Sequence, residues 1–220
     1  MSSGACDGKS PVLWARLAGA FLLFACAFAL SQTAGAKDLI EPEILSRDAW
    51  GALPAKTELM QEQKPGEIII HHTGERQQPK VSLEAKMRGL QNFSMKAGRV
   101  GTLSKPAWGD VLYHYYIDVA GKIAEGRDVS FAGDATTGFD NDGRIQITVE
   151  GDFEREEPNP EQLASLTRLV VWLAVRYGIA PESISGHGDH DQTDCPGKNL
   201  KPFLEDLRKG AQAEIDIDDK

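Results

Sequence analysis

EIIIHHTG, residues 67–74, is an apolar, β-branched run closed by Thr73 and Gly74. Such a run reads as a buried central strand that ends in a loop. Successive strand residues face opposite sides of a sheet, so only one of His71 and His72 can point toward a site at that strand end. Periodicity does not say which, and a hydrogen-bonded core histidine is the plain alternative for either.

The segments around this strand alternate in type. VSLEAKMRGLQNFSMK (81–96) carries Leu83, Met87, Leu90 and either Phe93 or Ser94 at helical spacing, with Ser82 as a cap. VLYHYYIDVAGKIAEGRD (111–128) reads as a strand, a turn at Ala120-Gly121 and a second strand, hence a hairpin. On its first strand Tyr113 and Tyr115 would share one face, and His114 and Tyr116 the other. RIQITVEG (144–151) is another β-rich run. Asn159-Pro160-Glu161-Gln162 starts a helix, with Asn159 as cap, proline first and Gln162 in the capping-box place. That helix buries Leu163, Leu166, Leu169, Val170 and Leu173 and stops at Gly178. A last amphipathic helix spans 201–213, with Phe203, Leu204 and Leu207 inward. This interleaving predicts an α/β fold: a single domain with a central mixed β-sheet flanked by α-helices.

The chain ends lie outside that fold. Lys9 and Arg16, the apolar run LAGAFLLFACAFAL and the small residues Ala34-Gly35-Ala36 read as a cleaved secretory signal over residues 1–36. Its apolar run is short for a membrane span of about 20 residues, so no stable span is expected. Leu23-Phe24-Ala25-Cys26 weakly resembles a lipid-attachment site, which keeps a lipoprotein as a minor alternative to a periplasmic or secreted protein. Residues 37–210 form one unit, and 211–220 an acidic, solvated tail. A net charge of −9 argues against nucleic acid and anionic membranes as partners. Cys6 and Cys26 leave with the signal, so Cys195 stands alone in an exported chain. A secreted protein seldom keeps an unpaired thiol without a use for it.

HGDHDQTDCPG (187–197) holds that thiol. His187 and Cys195 lie eight residues apart in a turn-rich loop, a spacing that can converge on one ion. A hydrolytic zinc site takes three protein ligands and leaves the fourth position to water. The third would come from His71 or His72. The rival reading makes Cys195 a nucleophile, with His187 or His190 as base and Asp189 or Asp191 orienting it. Pro196-Gly197 places the thiol in a turn and not at the helix N-terminus that commonly activates one.

Five stretches in order, SRDAWGA (46–52), IIIHHTG (68–74), WGDVLYHYYID (108–118), AEGRD (124–128) and GHGDHDQTDCPG (186–197), resemble the zinc-dependent N-acetylmuramoyl-L-alanine amidases of type 2. The subgroup they resemble most is the peptidoglycan recognition proteins. The resemblance implies that family's fold, Zn2+ as the cofactor, and His71, His187 and Cys195 as its ligands. It implies Tyr113 beside the reacting water and Thr193 as a contact to the developing oxyanion. The substrate would be peptidoglycan or a muropeptide, cut between N-acetylmuramic acid and L-alanine by a monomer. The alternative within the family is a recognition protein that binds peptidoglycan without cutting it. Three positions depart from the pattern. Asp134 stands near a family histidine, Leu112 stands where many relatives have glycine, and Thr148 stands where some branches carry a glutamate base. The proton shuttle then falls to Tyr113 or Glu150, in that order.

Overall fold

The computed structural model describes residues 40–136 and 139–218. The secretory signal and the lipid-attachment cysteine read from the sequence lie outside the described residues. Among those that are described, no helix is long and apolar enough to cross a membrane.

The chain runs β1 (Ile44–Leu45), α1 (Arg47–Trp50), β2 (Glu67–His72), α2 (Leu83–Ser94), β3 (Gly98–Val100) and β4 (Leu103–Lys105). It continues through β5 (Tyr115–Ile117), β6 (Ile123–Glu125), β7 (Arg144–Val149), α3 (Pro160–Tyr177), β8 (Ile184–Gly186) and α4 (Leu204–Asp218). Six strands form one sheet in the order β1-β6-β5-β7-β2-β8, and β3 and β4 pair as a separate ribbon. Only the β5–β6 pair of the large sheet is antiparallel, so the sheet is mixed, as the alternation of elements predicts.

The isoleucines of β2 explain its central place. Ile68 and Ile70 pack with Ile145, Ile147 and Val149 of β7 against Leu166, Leu169, Val170 and Leu173 of α3 and Leu204 and Leu207 of α4. Full burial of each such side chain is worth about 1.5–3 kcal/mol. Ile69 and His71 face the other side, where Trp50, Leu83, Met87, Val111 and Tyr116 form a smaller cluster under α1 and α2. Trp50 is fully buried and its indole N–H donates to the Glu125 carbonyl at 2.7 Å, which ties the SRDAWGA segment to β6.

α3 begins as its sequence predicts. Asn159 Oδ1 accepts from the Gln162 amide at 2.9 Å, and Gln162 Oε1 accepts from the Asn159 amide at 3.3 Å. Asn159 Nδ2 also donates to the Val119 carbonyl at 2.7 Å, so the cap pins the helix to the β5–β6 turn. Of the two alternatives on α2, Ser94 is buried and Phe93 is exposed. The last helix departs from its expected limits: residues 211–218, read as a solvated tail, continue α4 to Asp218. Ala211 is fully buried in the helical phase of Leu204 and Leu207, which carries the helix onward.

The stretch before β5 also departs from expectation. Bends at Leu112 and His114 break the strand, so Tyr113 lines the same groove as Tyr116 while Tyr115 enters the opposite core. Tyr113 and Tyr115 therefore do not share a face. Gly126 permits the close approach at this bend, because a Cβ there would lie 2.4 Å from the Tyr113 carbonyl. His114 is a structural histidine at this point. The Gln146 backbone N–H can only donate, so His114 Nδ1 accepts it at 2.8 Å. Nε2 then carries the proton and donates to the Phe131 carbonyl at 2.8 Å. A second proton would set two donors face to face.

Two measurements check this account. Replacing Asn159 with alanine removes the cap and the Val119 tie, which predicts a loss of about 1–2 kcal/mol. At this chain length that lowers the melting temperature by about 2–4 °C per kcal/mol, and an unchanged melting temperature speaks against the cap. For His114, burial pushes the pKa from its ordinary 6.5 to about 4. The folded state binds fewer protons than the unfolded chain between those values, so the stability is fully present above the upper value and is lost as pH falls toward the lower. The loss amounts to about 3 kcal/mol at most. An NMR titration of the His114 ring should show it neutral until pH is about 4; a midpoint at the ordinary value contradicts the assignment.

Candidate functional site

Strand register brings the candidate ligands together. β8 pairs with β2 so that Ile70 lies opposite Gly186, which sets His71 beside His187 at the next position of each chain. Their ring centroids are 4.7 Å apart. Beyond His187 the chain makes a short 3-10 turn and folds back, and the Gly188 amide donates to the Cys195 carbonyl at 2.6 Å. A Cβ on Gly188 would lie 2.7 Å from the Thr193 carbonyl and 2.8 Å from that of Cys195, so the loop closes only over glycine. Cys195 Sγ accepts from the His72 amide at 3.4 Å and sits 3.6 Å from His71 Nδ1.

His71, His187 and Cys195 each offer a ligand atom, and the three atoms lie within 4.8 Å of one another. The donor set, two imidazoles and a sulfur, suits a borderline-soft divalent ion. The 3.6 Å from sulfur to nitrogen is close to the spacing of roughly 3.5 Å that bond lengths of about 2.1 and 2.3 Å give at a tetrahedral centre. These residues could hold a metal ion. His72 faces away, and its Nδ1 accepts from the Phe153 amide at 3.2 Å.

Burial prepares each group differently. It holds the His71 pKa well below the ordinary value, with the like charge of His187 adding to the effect. His187 is lowered by burial too, against the opposing pull of Asp191. Both rings are therefore neutral near neutral pH and keep a lone pair for a cation. Burial raises the Cys195 thiol to about 12. Without a cation beside it the sulfur stays protonated, unlike the activated thiolate of a nucleophilic cysteine.

Tyr113 stands next to the cluster, its ring 5.1 Å from that of His71. Burial first, then the charge of Cys195, pushes its phenol well above the usual range, while the Thr148 hydroxyl beside it pulls the other way. Its hydroxyl consequently keeps its proton near neutral pH. The site opens into a groove of about 750 Å³ whose walls include Tyr113, Tyr116, Phe93 and Trp108.

The other expected residues sit as follows. Thr193 Oγ1 accepts from the Cys195 amide at 3.3 Å, which makes Thr193 a brace of the ligand loop outside the groove lining. Glu150 lines the groove, but its carboxylate accepts from the Gln78 amide at 2.7 Å, Lys86 Nζ at 2.7 Å and the Val119 amide at 2.9 Å. Asp134 pairs with Arg127 at the groove edge. Asp189 and His190 are loop struts: Asp189 accepts from the Gly186 amide at 3.0 Å, and His190 Nε2 meets Ser185 Oγ at 2.7 Å. Sequence reasoning missed Phe139, a buried ring 4.8 Å from that of His187. It is the one aromatic residue in the polar stretch GDATTGFDNDG, a signal that could have marked it.

Residues 61–198 match the Amidase_2 family of N-acetylmuramoyl-L-alanine amidases. Peptidoglycan-recognition protein SD of Drosophila simulans is 33% identical over 169 residues, which covers 75% of this chain and 86% of that protein. The crystal structure of the Drosophila peptidoglycan recognition protein SD superposes with a TM-score of 0.64 at 29% identity, covering 75% of this chain and 94% of that one. The endolysin amidase LysCS of Clostridium intestinale superposes with a TM-score of 0.56 at 27% identity, covering 79% and 97% respectively. The chain belongs to the family of type 2 N-acetylmuramoyl-L-alanine amidases and peptidoglycan recognition proteins.

Proposed function

We propose that this protein is a zinc-dependent amidase that hydrolyses the bond between the lactyl group of N-acetylmuramic acid and the L-alanine of the stem peptide. The observation that carries this reading is the set of three nitrogen and sulfur donors within 4.8 Å of one another at the wall of an open groove. His71, His187 and Cys195 would hold the ion. When bound, zinc supplies Lewis-acid polarisation of a carbonyl and acidification of a water.

The chain's own residues supply the rest. Tyr113, kept protonated by burial, donates a hydrogen bond to the carbonyl oxygen as negative charge builds there, and its hydroxyl can relay a proton toward the leaving amine. Thr193 holds the backbone of Cys195 so that the sulfur keeps its place. Glu150 and Lys86 form a buried pair in the groove wall that shapes substrate binding, with three donors held on the Glu150 oxygens. Phe93, exposed in the groove wall, offers apolar ring surface to a sugar or peptide. In this reading residues 1–36 direct export to the periplasm or exterior, and residues 37–210 act there as a monomeric amidase.

Release of stem peptide from purified cell walls tests the reaction. Zinc-loaded protein should release it, and a chelator or Cys195→Ser should abolish release. Release that survives both defeats the zinc reading. Wall binding without release after zinc loading would instead identify a recognition module. Tyr113→Phe should keep stoichiometric zinc and lower kcat by about 10²–10³, the usual loss for one oxyanion donor. A kcat equal to that of the parent would remove Tyr113 from the chemistry.

A further inference from the structure

Beneath the candidate ligands lies a layer of polar side chains that the reaction as described does not use. Gln146 and Thr148 project from β7 on the same side as His71, because Ile69 pairs with Gln146 and His71 with Thr148. Gln146 is fully buried. Its amide orientation is set from one end, where Nε2 donates to Asn141 Oδ1. Gly133 makes room for that group, since a Cβ there would lie 2.9 Å from Gln146 Nε2. Oε1 is therefore turned the other way, on the face of the sheet that also carries His71. Gln146 Oε1 and His71 Nε2 are both buried, and neither has a hydrogen-bond partner among the described residues. His71 Nδ1 is the nitrogen that lies beside Cys195 Sγ.

We propose that Gln146 is a positioning residue for the metal ligand His71. Its Oε1 accepts Nε2–H, which fixes the tautomer that leaves the Nδ1 lone pair directed at Cys195 Sγ. The inference rests on the reading of His71 as a ligand and adds how the chain prepares it. A neutral imidazole carries one proton, and only its bare nitrogen can bind a cation. An acceptor at the far nitrogen selects which nitrogen is bare and holds the ring plane as well. At His187, Nε2 lies 3.7 Å from Asp191 Oδ2. At His71 the acceptor is an uncharged amide, so the ring is oriented without a further anion next to the thiolate that a bound cation would create at Cys195.

Nitrogen-resolved NMR of the metal-free protein reads the His71 tautomer, and chelator competition reads zinc affinity. Wild-type His71 should be in the Nε2–H form. Gln146→Leu should show a mixture of tautomers and bind zinc about 10- to 100-fold more weakly, while Gln146→Glu, which restores an acceptor, recovers most of the affinity. Circular dichroism establishes that each variant is folded. An Nδ1–H ring in the wild type overturns the proposal, as does a folded Gln146→Leu that binds zinc within about twofold of wild type. Should Gln146→Leu fail to fold, the wild-type tautomer decides the matter alone. Wild-type protein that takes up no zinc overturns the ligand reading and this role with it, whereas uptake that Gln146→Leu matches overturns only the role of Gln146.

Discussion

The hydrogen-bonded register of β2 between β7 and β8 governs both what the core buries and what the groove receives. With Ile70 opposite Gly186 and His71 opposite Thr148, alternate residues of β2 divide cleanly. Ile68 and Ile70 go to the helices α3 and α4, and Ile69 and His71 to the groove side. A slip of one residue would exchange the faces, drive a histidine into the apolar core and expose the isoleucines. The apolar burial that stabilises the sheet is thus the same constraint that aims His71 at His187. Site geometry here follows from core packing and needs no separate device.

Burial then decides the chemistry of the groups that the register assembles. Removing imidazoles from water disfavours their charged forms, which leaves His71 and His187 as lone-pair donors. The same low polarity keeps Cys195 a thiol until a cation arrives, and keeps Tyr113 a phenol throughout. Two neutral nitrogens, a sulfur that loses its proton on binding a metal, and a hydroxyl that keeps its proton to donate make a coherent set for polarising an amide carbonyl. A nucleophilic thiolate would require the opposite environment, one of positive potential and partial exposure.

Much of this was legible in the residues because strong local signals coincided with tertiary roles. The isoleucine run of β2, the Asn159 and Gln162 caps and the apolar stripe of α3 each specify their element within a few residues of sequence. Choosing His71 over His72 was different: alternation showed that one of them must face away, and family resemblance, not periodicity, supplied the choice. The tyrosines of VLYHYYID misled for a physical reason. Alternation presumes a continuous strand, and bends at Leu112 and His114, made possible by the close approach of Gly126, shift Tyr113 out of phase. Glu150 lies on the expected face, yet its partners Lys86 and the amides of Gln78 and Val119 come from three separate segments that no local pattern announces. The polar crowd of HGDHDQTDCPG divides in the same way. His187 and Cys195 reach the cluster, while Asp189, His190 and Thr193 support the loop that carries them.

The central claim is that two imidazoles and one thiolate of this chain converge on a single zinc ion. X-ray absorption at the zinc edge of the loaded protein tests it most directly. The account predicts one sulfur at about 2.3 Å and two imidazole nitrogens at about 2.0–2.1 Å, with the sulfur lost in Cys195→Ser. A first shell of nitrogen and oxygen alone in the unaltered protein would contradict it.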